Sequence, residues 1–314
     1  MNILVTGASG FVGQPLCAEL AHHFNVRAAV RSAGTGSPSY AQVTVGQTDH
    51  TTDWTVALRD QTVVIHLVAR VHVVKDVSVD PLAEFRAINV EGSQNLAKQA
   101  AAAGVRRLVF ISSVKVNGEY SLQGKPFVEK DVPAPADFYG VSKLEAEIGL
   151  REISDKTGME LVIIRPPLVY GPGVRANFAS LLQAVRHGWP LPLGAVENQR
   201  SLLGLDNLVN FIMTCATHPQ ASGNTFFVSD GNDLSTPELI RRLAHAAQVP
   251  ARLLSVPMWM LEASAALLGR RETARRLCGN LQVDMSKARD FLDWAPPYSV
   301  DEGLRRAVAG SATL

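Results

Sequence analysis

The first thirteen residues constrain the fold of this chain more than any other stretch. A short apolar run at residues 3–5 leads into three glycines spaced three apart, Gly7, Gly10 and Gly13. Apolar residues then recur at the spacing of one helical face, at Val12, Leu16 and Leu20. This order predicts a β-strand, a tight turn and the start of an α-helix.

Such a turn directs backbone N–H groups and the positive end of the helix dipole at one point, which suits a pyrophosphate. In this interpretation Gly7 allows the turn, Gly10 allows the backbone to approach the phosphates, and Gly13 allows the helix to pack on the strand. A glycine triplet alone also occurs in flexible connections, so its position between strand and helix carries the interpretation. The stretch predicts dinucleotide binding.

Strand-like and helix-like segments alternate through the first half of the chain. Further β-branched runs lie at residues 26–31, 43–45, 63–67, 108–111 and 161–164. One intervening helix is well marked, with Asp80 as its cap, Pro81 at its first position and Gly104 beyond its end. The alternation predicts an α/β fold with a doubly wound parallel (Rossmann) sheet, its ligand at the carboxyl ends of the strands.

The pattern changes after residue 164, where turn-rich segments replace it. We predict a dinucleotide-binding domain at residues 1–168, to which 202–230 return. Residues 169–201 and 231–314 are predicted to form a second, smaller, mostly helical substrate lobe. The longest apolar stretch, residues 257–269, is too short to span a bilayer and is predicted to be a core helix.

Composition excludes several classes of partner. The 30 Lys and Arg residues against 29 Asp and Glu leave a net charge of +1, which gives no electrostatic reason to expect nucleic acid or a membrane. Cys17, Cys215 and Cys278 are far apart, so we expect neither a disulfide framework nor a zinc site. His66 and His72 lack a third ligand at metal spacing, and no metal is predicted. With no secretory signal expected, a reducing cytoplasm is the predicted location.

Candidate catalytic residues lie in the middle of the chain. Tyr139 and Lys143 are four residues apart, so a helix brings them to one face and the ammonium close to the phenol. A nearby positive charge is expected to favour the phenolate. With Ser113 holding a substrate oxygen, the three side chains could move a proton while a nicotinamide moves a hydride. Alone, a Tyr/Lys pair at this spacing is usually a solvated helix face; the preceding dinucleotide turn and the Ser-Ser pair at a strand end favour the catalytic interpretation.

Several motifs together resemble the extended short-chain dehydrogenase/reductases of the nucleotide-sugar group. They are Thr-Gly-Ala-Ser-Gly-Phe-Val-Gly at 6–13, His-Leu-Val-Ala at 66–69, Asn-Val-Glu-Gly at 89–92, Ile-Ser-Ser-Val-Lys-Val-Asn-Gly at 111–118, and residues 139–143 and 165–173. A narrower resemblance is to bacterial UDP-sugar 4-ketoreductases that form UDP-N-acetylquinovosamine, and it rests on residues 112–118, 174–178, 190–194 and 198–201. Relatives of these reductases are often named UDP-glucose 4-epimerases.

The resemblance assigns roles to individual residues. It implies that Ser113, Tyr139 and Lys143 are catalytic, with Tyr139 as the general acid/base, and that Asn177 and Arg200 hold the uridine diphosphate. It also implies a homodimer, paired through the helices that carry Tyr139 and Phe85. The cofactor-binding residues that it implies are Gly7, Ser9, Gly10, Phe11, Val12, Gly13, Arg31, Ser32, His66, Leu67, Val68, Ala69, Tyr139 and Lys143.

Two departures from the wider group narrow the chemistry. Sugar-nucleotide 4,6-dehydratases place an acidic pair after the catalytic hydroxyl, where this chain has Val114 and Lys115. Neither residue can act as the acid that expels water, which argues against dehydration. Epimerases of the group usually carry Tyr where this chain has Asn117, a difference to which the sequence attaches no mechanism.

The end of the second strand bears on cofactor choice. NAD-binding folds place Asp or Glu there, whereas this chain has Arg31 and Ser32. NADP(H) is therefore favoured, with NAD(H) possible, although Arg31 could instead stack on adenine.

The sequence predicts NADPH-dependent reduction of a UDP-4-keto-6-deoxy-N-acetylhexosamine at C4 for surface polysaccharide (O-antigen) synthesis. The alternatives are a UDP-hexose 4-epimerase with retained NAD and, less favoured, a redox-silent nucleotide-sensing module. The sugar, its C4 stereochemistry and the choice of uridine or thymidine stay open.

Overall fold

A computed structural model describes residues 1–32, 38–71, 80–267 and 277–310 and contains one large sheet. Its seven strands are all parallel and follow the order β3-β2-β1-β4-β5-β6-β9. The strands of the chain are β1 (Asn2–Thr6), β2 (Asn25–Val30), β3 (Ala41–Thr44), β4 (Val63–His66), β5 (Arg107–Ile111), β6 (Glu160–Arg165), β7 (Leu168–Tyr170), β8 (Leu202–Gly204) and β9 (Thr225–Phe227). The predicted Rossmann sheet is confirmed, and β7 and β8 form a separate parallel pair.

Helices follow most strands of the large sheet. They are α1 (Gly13–Ala21), α2 (Thr55–Leu58), α3 (Pro81–Arg86), α4 (Ser93–Ala102), α5 (Phe138–Thr157), α6 (Ala176–Arg186), α7 (Leu205–Thr217), α8 (Thr236–Ala246), α9 (Met258–Leu267), α10 (Ser286–Leu292) and α11 (Val300–Gly310). As predicted, Asp80 caps α3 by accepting a hydrogen bond from the backbone N–H of Ala83 at 3.1 Å. A π-helical segment, Ala87–Gly92, joins α3 to α4.

Both faces of the large sheet are buried. Successive residues of a strand point to opposite faces, and in β1 Ile3 packs in a core with α1 and α7, whereas Leu4 packs in a core with α4 and α5. Strands covered on both sides explain why their sequences are continuously apolar.

A third core lies around Tyr170, whose hydroxyl donates to Asp230 at 2.8 Å. It is built mainly from α6, α8 and α11. Further along the chain, Leu292 and Trp294 pack in the core of the large sheet. The C-terminal residues therefore contribute to both regions, and the predicted division of the chain into a domain and a lobe stays a prediction.

The prediction of a core helix at residues 257–269 is wrong for its described part. In α9, Trp259 is 70% exposed and Leu267 is 90% exposed, while Leu261 packs against the third core. Apart from Glu262 and Ser264 the described helix is apolar, so its sequence does not show which side finds a protein partner. Among the described residues, no helix combines the length and apolar character needed to cross a bilayer.

Candidate active site

The glycine turn lies at the carboxyl edge of the sheet, between β1 and α1. Gly7 has a φ of +69°, a left-handed conformation that favours glycine, and a Cβ there would lie 3.1 Å from the backbone of Leu67 and Val68. A Cβ on Gly13 would lie 2.2 Å from the Gly7 carbonyl oxygen. Close backbone packing thus explains glycine at both positions, and the Gly10 N–H closes the turn by donating to Gly7 at 2.9 Å.

The N-terminus of α1 is available to an anion. Its N-cap residue is Val12, no side chain caps the helix, and its first turn contains no acidic residue. Ser9 and Gly10 are exposed, and Phe11 is half-buried. Backbone N–H groups and the helix dipole therefore meet solvent at the turn, an arrangement that fits a dinucleotide pyrophosphate.

Arg31 and Ser32 follow β2 at the same edge of the sheet, and both are exposed. Thr6, the last residue of β1, pairs with Ala29 of β2, so Arg31 lies one strand away from the glycine turn. Their predicted contact with the cofactor ribose stays a prediction.

The imidazole of His66 is engaged inside the protein. Ser93 donates its hydroxyl proton to the Asn89 carbonyl at 2.7 Å, so the Nε2–H of His66 donates to Ser93 at 2.9 Å, and Nδ1 accepts from Thr6 at 2.6 Å. Burial, reinforced by the charge of Lys143, lowers the pKa of His66 to about 3, so the ring is neutral. If residues 66–69 contact a cofactor, they would do so through their backbone or through the half-buried side chains of Leu67, Val68 and Ala69. His72 lies outside the described residues.

Asn89, in the π-helical segment, links the loop after β4 to the helix that carries Tyr139. Its side chain accepts from the Arg70 backbone N–H at 2.7 Å and donates to the Arg70 carbonyl at 3.0 Å. It also donates to the Ser142 hydroxyl at 2.9 Å. Sequence reasoning assigned this residue no role, although the motif at 89–92 marked it. π-Helical insertions are frequent at functional sites.

The structure brings Ser113, Tyr139 and Lys143 together at the carboxyl end of β5. Asp137 starts α5 by accepting from the Gly140 N–H at 2.7 Å, which sets the position of the first helical turn. The Ser113 hydroxyl lies close enough to the Tyr139 phenol to act on its pKa. Lys143 lies one turn further along α5 and is almost fully buried.

The expected effect of Lys143 on the phenol is not observed. Burial, reinforced by the negative charge of Asp137, raises the pKa of Tyr139 to about 12, although the hydrogen bond from Ser113 opposes this. Burial also lowers the pKa of Lys143 to about 7, and its Nζ lies 4.0 Å from the centroid of the Phe110 ring. For both side chains, the desolvation of the charged form therefore outweighs the predicted attraction between the Lys143 ammonium and the Tyr139 phenolate.

A buried polar network lies behind the catalytic residues, and sequence reasoning missed it. Glu147 of α5 accepts two hydrogen bonds from Arg165, at 2.9 and 2.5 Å, and one from Ser112 at 2.5 Å. Although burial opposes ionisation, Arg165 keeps the pKa of Glu147 below its usual value. Arg165 also donates to the Asn117 amide oxygen at 2.8 Å. Asn117, which stands where epimerases of the group usually carry Tyr, is therefore part of this network and has a structural role.

The two predicted substrate-binding residues belong to the C-terminal half of the chain. Asn177 is exposed in the first turn of α6. Arg200 is half-buried and donates to the Gly279 carbonyl at 2.9 Å. Gly279, with Tyr120, Met258, Glu262 and Cys278, lines a cavity of about 290 Å³. Arg200 thus contacts one of the residues that line this cavity.

Comparisons with known proteins agree with this arrangement. The profile of the NAD dependent epimerase/dehydratase family matches residues 3–228, which include the glycine turn, Ser113 and α5. Over 308 residues the chain is 46% identical to a UDP-glucose 4-epimerase of Vibrio cholerae, covering 97% of this chain and 94% of that protein.

More distant matches also span the whole chain. It is 28% identical to an N-acetyl-alpha-D-glucosaminyl-diphospho-ditrans,octacis-undecaprenol 4-epimerase of Escherichia coli O157:H7, covering 98% of this chain and 94% of that protein. The crystal structure of a Thermotoga maritima UDP-glucose 4-epimerase with UDP-glucose matches with a TM-score of 0.79 at 22% identity, covering 100% of this chain and 99% of the other. The last match concerns the fold alone.

Proposed function

This chain belongs to the NAD dependent epimerase/dehydratase family, and we propose that it is a UDP-hexose 4-epimerase that retains its nicotinamide dinucleotide. The observation that carries the proposal is the meeting of Ser113, Tyr139 and Lys143 at the carboxyl edge of the sheet, the edge at which the glycine turn lies two strands away. The 46% identity to a UDP-glucose 4-epimerase over almost the full length favours epimerisation over the reduction that the sequence alone favoured.

The residues at the turn fit a dinucleotide, because a Cβ at Gly7 or Gly13 would meet backbone atoms and the N-terminus of α1 has no side-chain cap. A bound nicotinamide would supply reversible hydride transfer at C4. Tyr139 would take the proton of the C4 hydroxyl and later return it, while the Ser113 hydroxyl holds the same oxygen. Lys143 provides an ammonium group that loses its proton readily, because burial lowers its pKa to about 7. Arg200 and Asn177 would bind the diphosphate and the uridine.

A first experiment distinguishes retained from exchangeable cofactor. The protein purified without added nucleotide is expected to release NAD or NADH on denaturation. It should also interconvert UDP-glucose and UDP-galactose, or UDP-GlcNAc and UDP-GalNAc, with no cofactor supplied, which chromatography of the sugar nucleotides would measure. A protein free of nicotinamide and inactive on these pairs would contradict the proposal.

A second candidate function, NADPH-dependent reduction of a UDP-4-keto sugar, is favoured by Arg31. A guanidinium at the end of β2 can bind a ribose 2′-phosphate, and a reductase must exchange its cofactor at every turnover. This candidate predicts oxidation of NADPH when a UDP-4-keto-6-deoxy-N-acetylhexosamine is added.

Arg31→Asp tests the same residue directly. If Arg31 binds the 2′-phosphate, we expect the preference for NADPH over NADH to fall by about tenfold to a hundredfold, the value of a charge-assisted hydrogen bond. Binding titrations with both cofactors would measure this. Arg106→Asp is the matched control, because Arg106 is also exposed but precedes β5 at the amino edge of the sheet. An unchanged preference would mean that Arg31 does not select the cofactor.

A further inference from the structure

The turn that carries Ser113 is held by two buried side-chain hydrogen bonds, one on each side of it. Before it, the Ser112 hydroxyl donates to Glu147 at 2.5 Å. After it, the Asn117 amide oxygen accepts from Arg165 at 2.8 Å. Arg165 and Glu147 are joined to each other by two further hydrogen bonds. A single ion pair therefore binds the chain on both sides of Ser113.

Burial makes these two bonds strong. Ser112, Asn117, Glu147 and Arg165 are all almost fully buried. Hydrogen bonds to a charged partner are stronger than those between neutral groups, and exclusion of water strengthens them further. Among the described residues, the amide nitrogen of Asn117 is buried without a hydrogen-bond partner. Because an unpaired buried amide is unfavourable for stability, this asparagine suggests a role other than stability.

The same ion pair is rigidly connected to the other two catalytic residues. Tyr139, Lys143 and Glu147 follow one another at intervals of four in α5, so they lie along one face of the helix. The negative charge of Glu147 also opposes the lowering of the Lys143 pKa by burial. The carboxylate that binds Ser112 is therefore one helical turn from Lys143 and two from Tyr139.

Other contacts hold the turn as well. The backbone N–H groups of Ser112 and Val114 donate to the end of β6 and to the residue after it, at 2.8 and 3.0 Å. At the start of α5, Lys115 donates to Asp137. These contacts use none of the atoms of the two side-chain bonds. Substitutions that remove only those two bonds therefore leave the rest in place.

We propose that Ser112 and Asn117 are positioning residues: by binding the buried Glu147–Arg165 pair on either side of Ser113, they fix the Ser113 hydroxyl relative to Tyr139 and Lys143 for the reaction at C4. The inference rests on the proposed function for the role of Ser113. Neither residue needs to touch the substrate, since both act through the backbone of the turn.

The first arm of the test measures steady-state kinetics of the full-length protein with its cofactor. Ser112→Ala and Asn117→Leu each remove one bond and keep the Glu147–Arg165 pair. Each is expected to lower kcat by about tenfold, because misplacing a reacting group by about 1 Å can cost about a hundredfold. The KM for the UDP-sugar and the content of bound nicotinamide should change by less than about threefold. Ser112→Thr keeps the hydroxyl and should recover most of the turnover.

The second arm asks whether these losses pass through the Ser113 hydroxyl. In a Ser113→Ala background, Ser112→Ala and Asn117→Leu should lower the remaining kcat by less than about twofold, because the group that they position is gone. A general loss of folding or packing would instead lower kcat by the same factor in both backgrounds.

The third arm does not depend on activity. Crystal structures of the wild type and of Ser112→Ala/Asn117→Leu would measure the distance between Ser113 Oγ and Tyr139 Oη. This distance is expected to change by about 0.5 Å or more, the tolerance within which catalytic groups must be held. The pairing of β5 with β6 should stay the same, because its backbone hydrogen bonds are untouched.

Tyr170→Phe is the matched control. It also removes a buried hydroxyl that donates to a carboxylate, that of Asp230 at 2.8 Å, but in the third core. Its kcat should equal that of the wild type, and a loss as large as that of Ser112→Ala would contradict a specific role for Ser112.

Wild-type kcat in the folded single variants, equal losses in both backgrounds, or an unmoved Ser113 hydroxyl would each overturn the inference. A wild-type protein inactive on UDP-hexoses would count against the proposed function only, since the crystallographic distance would still test the inference.

Discussion

Tyr139→Phe is expected to lower kcat by about a thousandfold or more, because it removes the phenolic proton donor and acceptor and keeps the ring. The content of bound nicotinamide and the affinity for UDP should change little, since the ring still packs against Phe85 with its centroid 6.4 Å away. Steady-state kinetics and cofactor content would be measured together.

Tyr298→Phe is the matched control for this change. Tyr298 also lies near a cation, with the Arg306 guanidinium 4.0 Å from its ring centroid, but it precedes α11 in the C-terminal region. Its variant should keep wild-type turnover. If Tyr139→Phe turned over as fast as the wild type, Tyr139 would lose its assigned role in both candidate reactions.

Glu147→Leu is expected to destabilise the protein by about 3–5 kcal/mol, because it leaves the Arg165 guanidinium buried without its carboxylate partner. Arg165 has an exposed fraction of 3% and Glu147 of 0% at this pair. The free energy of unfolding would be measured by urea denaturation, with the midpoint and the slope reported separately.

Glu145→Leu provides the control for burial. Glu145 lies on the same helix and accepts two hydrogen bonds from Arg86, but the side chains are 30% and 46% exposed. Removing an exposed pair of this kind should cost only about 0–1 kcal/mol. If both variants lost a similar free energy of unfolding, burial would not explain how much the Glu147–Arg165 pair contributes to stability.

The sheet and the glycine turn could be predicted because their signals are local. Buried parallel strands show apolar runs, and a Cβ on Gly13 would meet backbone atoms of its own turn, at Gly7 and Ala8. The cap of α3 at Asp80 is likewise a contact within four residues. Such features need only a few neighbouring residues to be recognised.

Other features of the site depended on distant parts of the chain. The network of Glu147, Arg165 and Asn117 joins α5 to β6 and to the turn after β5. Asn89 has its role through Arg70 and Ser142. The exposure of α9 was predicted wrongly, because an apolar helix has the same sequence pattern whether or not a partner covers it.

The alternation of strands and helices along the chain, the glycine turn and the residue types available for proton and hydride transfer could all be inferred from the amino-acid sequence. The electrostatics of these residues followed from the folded arrangement: the pKa of the Tyr139 phenol is raised, the pKa of Lys143 is lowered, and Lys115 contacts two carboxylates. The physical reason is that strand and helix periodicity acts over a few residues. Desolvation and ion pairing depend instead on distances between groups that the folded chain alone brings together.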